Sequence, residues 1–378
     1  MSHRNRKKGD LGLGKRIVFT AILSALVLLL AEVVIRVTGL AEGCSARVSV
    51  TEWFVCDPIL GYRVNPDLAP LGRPLNRAGF RTHPFRPKRP DVYRIVSLGD
   101  SCTFGNVGWS YVPEPYPQRL ERMVAERAEG VKLEVLNAGQ SGYNSFHGVM
   151  LLRTKLRGLA PDLITVRYGW NDLFAPAWPG RYREPASAIG RAVEDLLLRT
   201  SLYAFGRRLG LEVLALIRPS VEQARDHRAS QKEWRPSIAR SDYEGNLRRI
   251  VEIGRARGAD VWLLTSPHNP NPAKKARARL SWFNNLPYEQ VLEIHDAYNE
   301  STRRVGAELG VPVIDMAALY AKHRGRCFFV PHDAVHPNQA GHDLEAEVLY
   351  AQLVASAPLT RPGTRARATS PRARWTDR

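Results

Sequence analysis

Five short, largely β-branched apolar runs recur along the chain: "YRIVSLG" from Tyr93, "LEVLNAG" from Leu133, "LITVRYG" from Leu163, "VWLLTSP" from Val261 and "VPVIDM" from Val311. Each ends in Gly, Pro or a polar turn. The stretches between them, among them 116–128, 144–157, 242–257 and 288–309, carry helical spacing. Continuous apolar strands alternating with helices predict a parallel sheet covered on both faces, an α/β fold. In such sheets ligands bind beyond the carboxyl ends of the strands. That is where the polar motifs of this sequence stand.

Three other regions break this pattern. An uncharged run, Ile17–Ala31, follows a basic cluster and reaches Leu40 if Glu32 and Arg36 are tolerated. Crossing a bilayer takes ~20 residues, so 17–40 is read as a transmembrane anchor whose outer turns lie among headgroups. Residues 1–16 then form a basic cytoplasmic tail, with the rest of the chain periplasmic or extracellular. A cleaved signal peptide is the rival reading, but no convincing A-x-A site follows, and an uncleaved anchor is expected. Residues 41–90 are rich in Pro, Gly and Arg and read as an irregular arm with short strands. The stretch 173–240 reads as an insertion. In it Ile189, Val193, Leu196, Leu197 and Tyr203 recur at helical spacing, as a lid or as a helix extending the core.

Composition changes the picture at one point. The net charge of +18 suggests nucleic acid, but +5 comes from residues 1–16 and +5 from 361–378. The remaining +8 is scattered without a basic stripe or stacking motif, so nucleic-acid binding is not expected. The tail, 358–378, has almost nothing to bury and is expected to be disordered. Of four cysteines, Cys44 and Cys56 are the candidate disulfide pair in an oxidising compartment, while Cys102 and Cys327 read as small buried apolar residues.

Ser101 alone reads as a helix cap. The other strand ends alter that: "NAGQSGYNS" brings Gly139 and Gly142, whose backbone N–H groups a ligand can approach closely. "YGWNDL" brings the amide of Asn171, and "PHDAVHPNQAGH" sets Asp333 three residues before His336. Acyl transfer through serine needs a nucleophile, a base, a carboxylate to hold it, and donors for an oxyanion. All four types are present.

In this order the blocks Gly99-Asp100-Ser101, Asn137 to Gly142, Gly169-Trp170-Asn171-Asp172 and Asp333-Ala334-Val335-His336 resemble the SGNH (GDSL-type) hydrolase family over residues 91–357. The stretches "DPILGYRVNP" and "NRAGFR" are more loosely similar to the arm of its membrane-anchored members. The resemblance implies a three-layer α/β/α sandwich with a central parallel sheet, flavodoxin-like. It implies Ser101 as nucleophile, His336 as base and Asp333 as its orienting carboxylate. The oxyanion donors would be the amides of Ser101 and Gly142 and the side chain of Asn171, with Gly139 serving the turn. The expected activity is a serine esterase cleaving acyl, foremost acetyl, esters of an envelope or extracellular glycan, without cofactor. An O-acyltransferase using the same serine and a catalytically idle envelope-binding module are the alternatives.

Cys102 stands where the G-D-S-L signature has leucine, and neither a cysteine-specific motif nor a second base marks it as the nucleophile. Trp170 either narrows the pocket or packs. The G-x-S-x-G signature of the α/β-hydrolases is absent at Ser101. No metal is expected: His332, Asp333, His336 and His342 match no zinc spacing, and a metal there would occupy the base. His342 is read as packing on the last helix and His268 as a loop residue.

Overall fold

The structure, a computed structural model, describes residues 12–43, 52–68, 75–107, 110–174, 187–217, 234–323 and 325–356. The predicted tail, 358–378, Cys44 and most of the basic leader lie outside them. The chain forms two compact units.

The larger unit is the α/β domain. Five parallel strands, β3 (Tyr93–Gly99), β6 (Leu133–Gly139), β7 (Leu163–Arg167), β8 (Asp260–Leu264) and β9 (Val313–Ile314), stand in the order β6-β3-β7-β8-β9. On one face α3 (Tyr116–Arg127) and α12 (Gln339–Ala355) pack on Ile95, Val135, Leu163, Trp262 and Leu264, all nearly dry. The opposite face is covered by α4 (Ser145–Arg153), α8 (Arg240–Ala256) and α10 (Tyr288–Leu309). Here a side chain at Gly254 would collide with Val261, so α8 approaches the sheet more closely than a larger residue would permit. Neighbouring residues of each strand serve opposite faces, which is why the runs are continuously apolar.

Strand order reverses at β3. Gly99 is in register with Gly139 on one side and with Arg167 on the other, so three strands end level with one another. The loops after them gather at the carboxyl end of the sheet, the side on which such sheets bind ligands.

Part of the region read as an arm belongs to this unit. Strand β1 (Phe54–Asp57) passes into the smaller unit at Cys56, while β2 (Gly61–Val64) lies in this one, where Gln140, from the loop after β6, accepts from Val64 N–H and donates to Gly79 O. A further pair, β4 (Asn106–Val107) and β5 (Ser110–Tyr111), follows the short helix α2 (Ser101–Phe104).

The smaller unit holds α1 (Leu13–Thr38), α6 (Ala188–Leu197) and α7 (Ser201–Ile217). Helix α1 is long and apolar enough to cross a membrane. Two expectations are corrected. The apolar residues of α6 do not pack inward: Ile189, Val193, Leu196 and Leu197 are all exposed. Cys327 is exposed rather than buried, because its loop spends the next two residues, Phe328 and Phe329, on a small core cluster and leaves the cysteine outside it, whereas Cys102 is buried as expected. Cys56 is engaged in a disulfide.

Candidate active site

Asp100, not Ser101, caps helix α2. Its buried carboxylate accepts from the Cys102 amide at 2.8 Å, which leaves the Ser101 hydroxyl free for other work. That hydroxyl lies 2.9 Å from His336 Nε2, and His336 Nδ1 lies 2.8 Å from Asp333 Oδ2. An ionised carboxylate can only accept, so Nδ1 carries the proton and Nε2 presents a lone pair to the serine O–H. In this geometry an imidazole can take a hydroxyl proton as the oxygen attacks.

The histidine loop is built to hold that alignment. Asp333 Oδ1 accepts from the Val335 and His336 amides, which frees Oδ2 for the ring. Burial alone would raise the Asp333 carboxyl, but the hydrogen bond and charge of His336 outweigh it and, with these amides, hold it at about 2. Beyond β8, Asn269 donates to Asp333 O, and its own amide donates to Ala334 O, tying the loop to the sheet. Asn338 then caps α12 through Gly341 N–H.

The oxyanion candidates occupy the neighbouring strand ends. Gly142 adopts φ +80°, a left-handed backbone in which L side chains are strained, and a Cβ there would also collide with the Tyr62 hydroxyl. Gly139 has a different task. A side chain there would run into the backbone of Thr103 and Phe104, so this glycine lets the end of β6 pack on α2. Asn171, in α5 (Trp170–Leu173), spends one amide hydrogen on Tyr143 O at 2.9 Å, and the other has no partner among the described residues. The Tyr143 hydroxyl in turn donates to Tyr62 O, so strand β2 braces this loop.

Sequence reasoning passed over Asp172. Its buried carboxylate accepts from Gly169 N–H at 3.1 Å, Ser145 N–H at 3.0 Å and Ser145 O–H at 2.5 Å. Burial pushes it up to about 7 despite those donors. It thereby joins the loop carrying Asn171 to the start of α4. Its position beside Asn171 in "GWND" was the available signal.

The remaining candidates fall away from the reacting atoms. Cys102 is buried, and burial with the neighbouring Asp100 charge pushes its thiol well above the ordinary range, so it offers no thiolate. Trp170 packs: it is 1% exposed, donates to Pro267 O and stacks on His295 with ring centroids 3.7 Å apart. His342 is buried, and its Nδ1 accepts from Tyr116 N–H. His268, His295 and Asp296 bring ligand-capable atoms within 4.8 Å of one another. That group lies beyond Trp170, and the serine chemistry makes no use of it.

The model of the GDSL-like lipase/acylhydrolase family matches residues 97–344. Similar solved structures include a lipase/acylhydrolase from Enterococcus faecalis, 20% identical with TM-score 0.43, covering 70% of this chain and 96% of its own. An acetylxylan esterase from Geobacillus stearothermophilus is 14% identical with TM-score 0.43, covering 69% and 94% respectively. An alpha/beta hydrolase enzyme from the metagenome of Lake Arreo is 18% identical with TM-score 0.42, covering 68% and 94%. No curated protein matches the sequence.

Proposed function

Because the chain belongs to the GDSL-like lipase/acylhydrolase family, and is a serine hydrolase acting on esters, we propose that Ser101, His336 and Asp333 are its catalytic triad. Its substrate, on this reading, is an acyl ester, foremost an acetyl ester, of an envelope or extracellular glycan. The observation that carries the chemistry is the unbroken chain from Ser101 Oγ through His336 to Asp333, at 2.9 and 2.8 Å.

Ser101 Oγ attacks the acyl carbonyl carbon while its proton passes to His336 Nε2. The developing oxyanion is met by the amides of Ser101 and Gly142 and by the unspent hydrogen of Asn171. Collapse of the tetrahedral species breaks the bond to the sugar oxygen, which leaves with the proton from His336. Water then attacks the acyl-serine, again giving its proton to Nε2; the second tetrahedral species collapses with cleavage of the acyl–Oγ bond, His336 returns the proton to Ser101 Oγ, and the carboxylic acid departs. Asp333 stays ionised throughout and balances the imidazolium.

Two features support the compartment. Helix α1 is long and apolar enough to cross a membrane and follows a basic leader, which would hold the domain on the outer side of the membrane. The disulfide at Cys56 fits an oxidising space. Acylated glycans are the polymeric esters within reach there.

The test uses the full chain in detergent micelles with 4-nitrophenyl esters from acetate to octanoate and with O-acetylated glycans, against Ser101→Ala. Hydrolysis should fall by roughly 10⁴-fold or more in the variant. Equal rates in both proteins would reject Ser101, and a preference for octanoate would reject the acetyl reading. Transfer of the acyl group to an added sugar in preference to water would make the protein a transferase.

A further inference from the structure

Helix α6 is amphipathic in the wrong sense for a helix in water. Ile189, Val193, Leu196 and Leu197, spaced i, i+4, i+7 and i+8, line one face and are 79, 51, 62 and 40% exposed. Glu194, on another side of the same helix, is buried at 7%. Apolar side chains outside and a carboxylate inside are what a helix shows when its outer surroundings are not water.

The contacts within the small unit say what those surroundings are. Glu32, near the end of α1, accepts from the first two amides of α7, Ser201 N–H at 2.9 Å and Leu202 N–H at 2.8 Å. Arg36, one turn further on, pairs with Glu32 at 2.6 Å and reaches Arg199 O at 3.5 Å. Thus the junction of α6 and α7 is fixed at one height along α1. From Ile17 to Ala31 the uncharged part of α1 rises ~22 Å, and with the stems of Lys15 and Arg16 reaching outward this fits a hydrocarbon layer of ~30 Å. Glu32 therefore stands at the outer edge of the acyl region. Helix α7 leaves that level, since Arg208 Nη1 donates to Leu40 O at 2.6 Å beyond the end of α1. Helix α6 ends at Leu197, four residues before Ser201, so its last turn lies within ~14 Å of that level.

We propose that α6 is an interfacial helix whose apolar face lies in the headgroup and acyl boundary of the outer leaflet, beside the emerging end of α1. The occupant of that face is phospholipid. The proposal rests on reading α1 as a membrane anchor. On it, the anchor and the insertion form one membrane module, with Glu32 as the clasp that caps α7 and holds α6 at the surface.

The experiment places a single environment-sensitive fluorophore on the full chain in nanodiscs of phosphatidylcholine and phosphatidylglycerol. Cys327→Ser removes the exposed native thiol. Cysteine is then introduced at Val193, at Leu196, at Val27 as the anchor control and at Glu252 as the aqueous control. Iodide quenches from water and doxyl-labelled lipid from the bilayer. The labels at 193 and 196 should be quenched by doxyl lipid and shielded from iodide several-fold relative to 252. If 193 and 196 quench with iodide as 252 does while 27 is quenched by doxyl lipid, the anchor stands and the interfacial helix is overturned. Shielding of 193 and 196 from both quenchers means protein covers α6, and this too overturns the proposal. Access of iodide to 27 removes the anchor itself, and the inference with it.

Discussion

Asp172 and Ser145 are joined by a 2.5 Å hydrogen bond from the serine hydroxyl to the carboxylate, and the same carboxylate takes the Ser145 and Gly169 amides. A carboxyl at the first turn of α5 thus also holds the first residue of α4, one strand away. Asn171 precedes Asp172 directly, so the amide proposed for the oxyanion is only as well placed as this joint. On the proposed mechanism Asp172 positions Asn171 without touching the reacting atoms.

Asp172 keeps its proton up to about pH 7 in the folded protein. In the unfolded chain an aspartate loses it near pH ~3.9. Between those values the unfolded state releases a proton that the native state retains, so this carboxyl lowers stability as pH rises from about 4 to 7, by a few kcal/mol in order of magnitude, and adds nothing further above that. Asp172→Asn removes the titration. Denaturation midpoints measured from pH 4.5 to 7.5 should fall more steeply for the natural protein than for the variant. Parallel curves would show that the carboxyl is not held protonated.

Asn171→Ala removes one of the proposed oxyanion donors. The expected loss is ~100 to 1000-fold in kcat with KM little changed. Stability should fall only by about 1 kcal/mol, the net worth of the bond to Tyr143 O. Steady-state kinetics on a 4-nitrophenyl ester beside a denaturation curve separates the two. A KM effect without a kcat effect would place Asn171 in substrate binding instead.

Asp333→Asn probes the tautomer. An asparagine amide donates to His336 Nδ1 and so moves the ring proton to Nε2, where it faces Ser101 and blocks the base. Turnover should drop by ~10³ to 10⁴-fold. The carboxyl, held at about 2, also stabilises the fold above pH ~4 by roughly 2 kcal/mol, a contribution lost as pH falls through 2. Acid titration of the natural protein should show that loss, and Asp333→Asn should lack it. Unchanged turnover in the variant would remove Asp333 from the mechanism.

The strands and the chemistry at their ends were legible because both are local. A buried parallel strand must be continuously apolar, and a serine, glycine or histidine at its end is read within a few residues. What escaped involves residues that meet across the chain. The Asp172 joint pairs α5 with α4, Glu32 caps a helix that begins at residue 201, and neither partner marks the other in sequence. The apolar spacing of α6 was visible, but the same stripe serves a core or a lipid surface, and only the exposure of Val193 beside the burial of Glu194 tells which way it faces. Cys102 was rightly read as buried, whereas Cys327 has no periodic neighbourhood from which exposure could be judged.

The buried pair of Arg167 and Glu345 is the strongest test of what holds α12 against the sheet. Arg167 closes β7 and Glu345 belongs to α12; their side chains are 1 and 0% exposed and meet at 2.5 Å. The Tyr320 hydroxyl adds a bond to Glu345 at 3.0 Å, and the Arg167 guanidinium lies over the Tyr116 ring at 5.1 Å. Burial would loosen the proton of Arg167, but the Glu345 charge more than restores it, so the guanidinium stays charged with its proton bound more tightly than usual. Glu345→Leu strands that charge in the core and should cost about 3 to 5 kcal/mol. The double variant Arg167→Leu with Glu345→Leu should recover much of this, because two buried charges disappear together. Denaturation of the four proteins forms a double-mutant cycle. Turnover per folded molecule should stay near the natural value in the double variant, since neither group touches the reacting atoms. A double variant no more stable than Glu345→Leu would show that the cost is lost packing and not an unpaired charge.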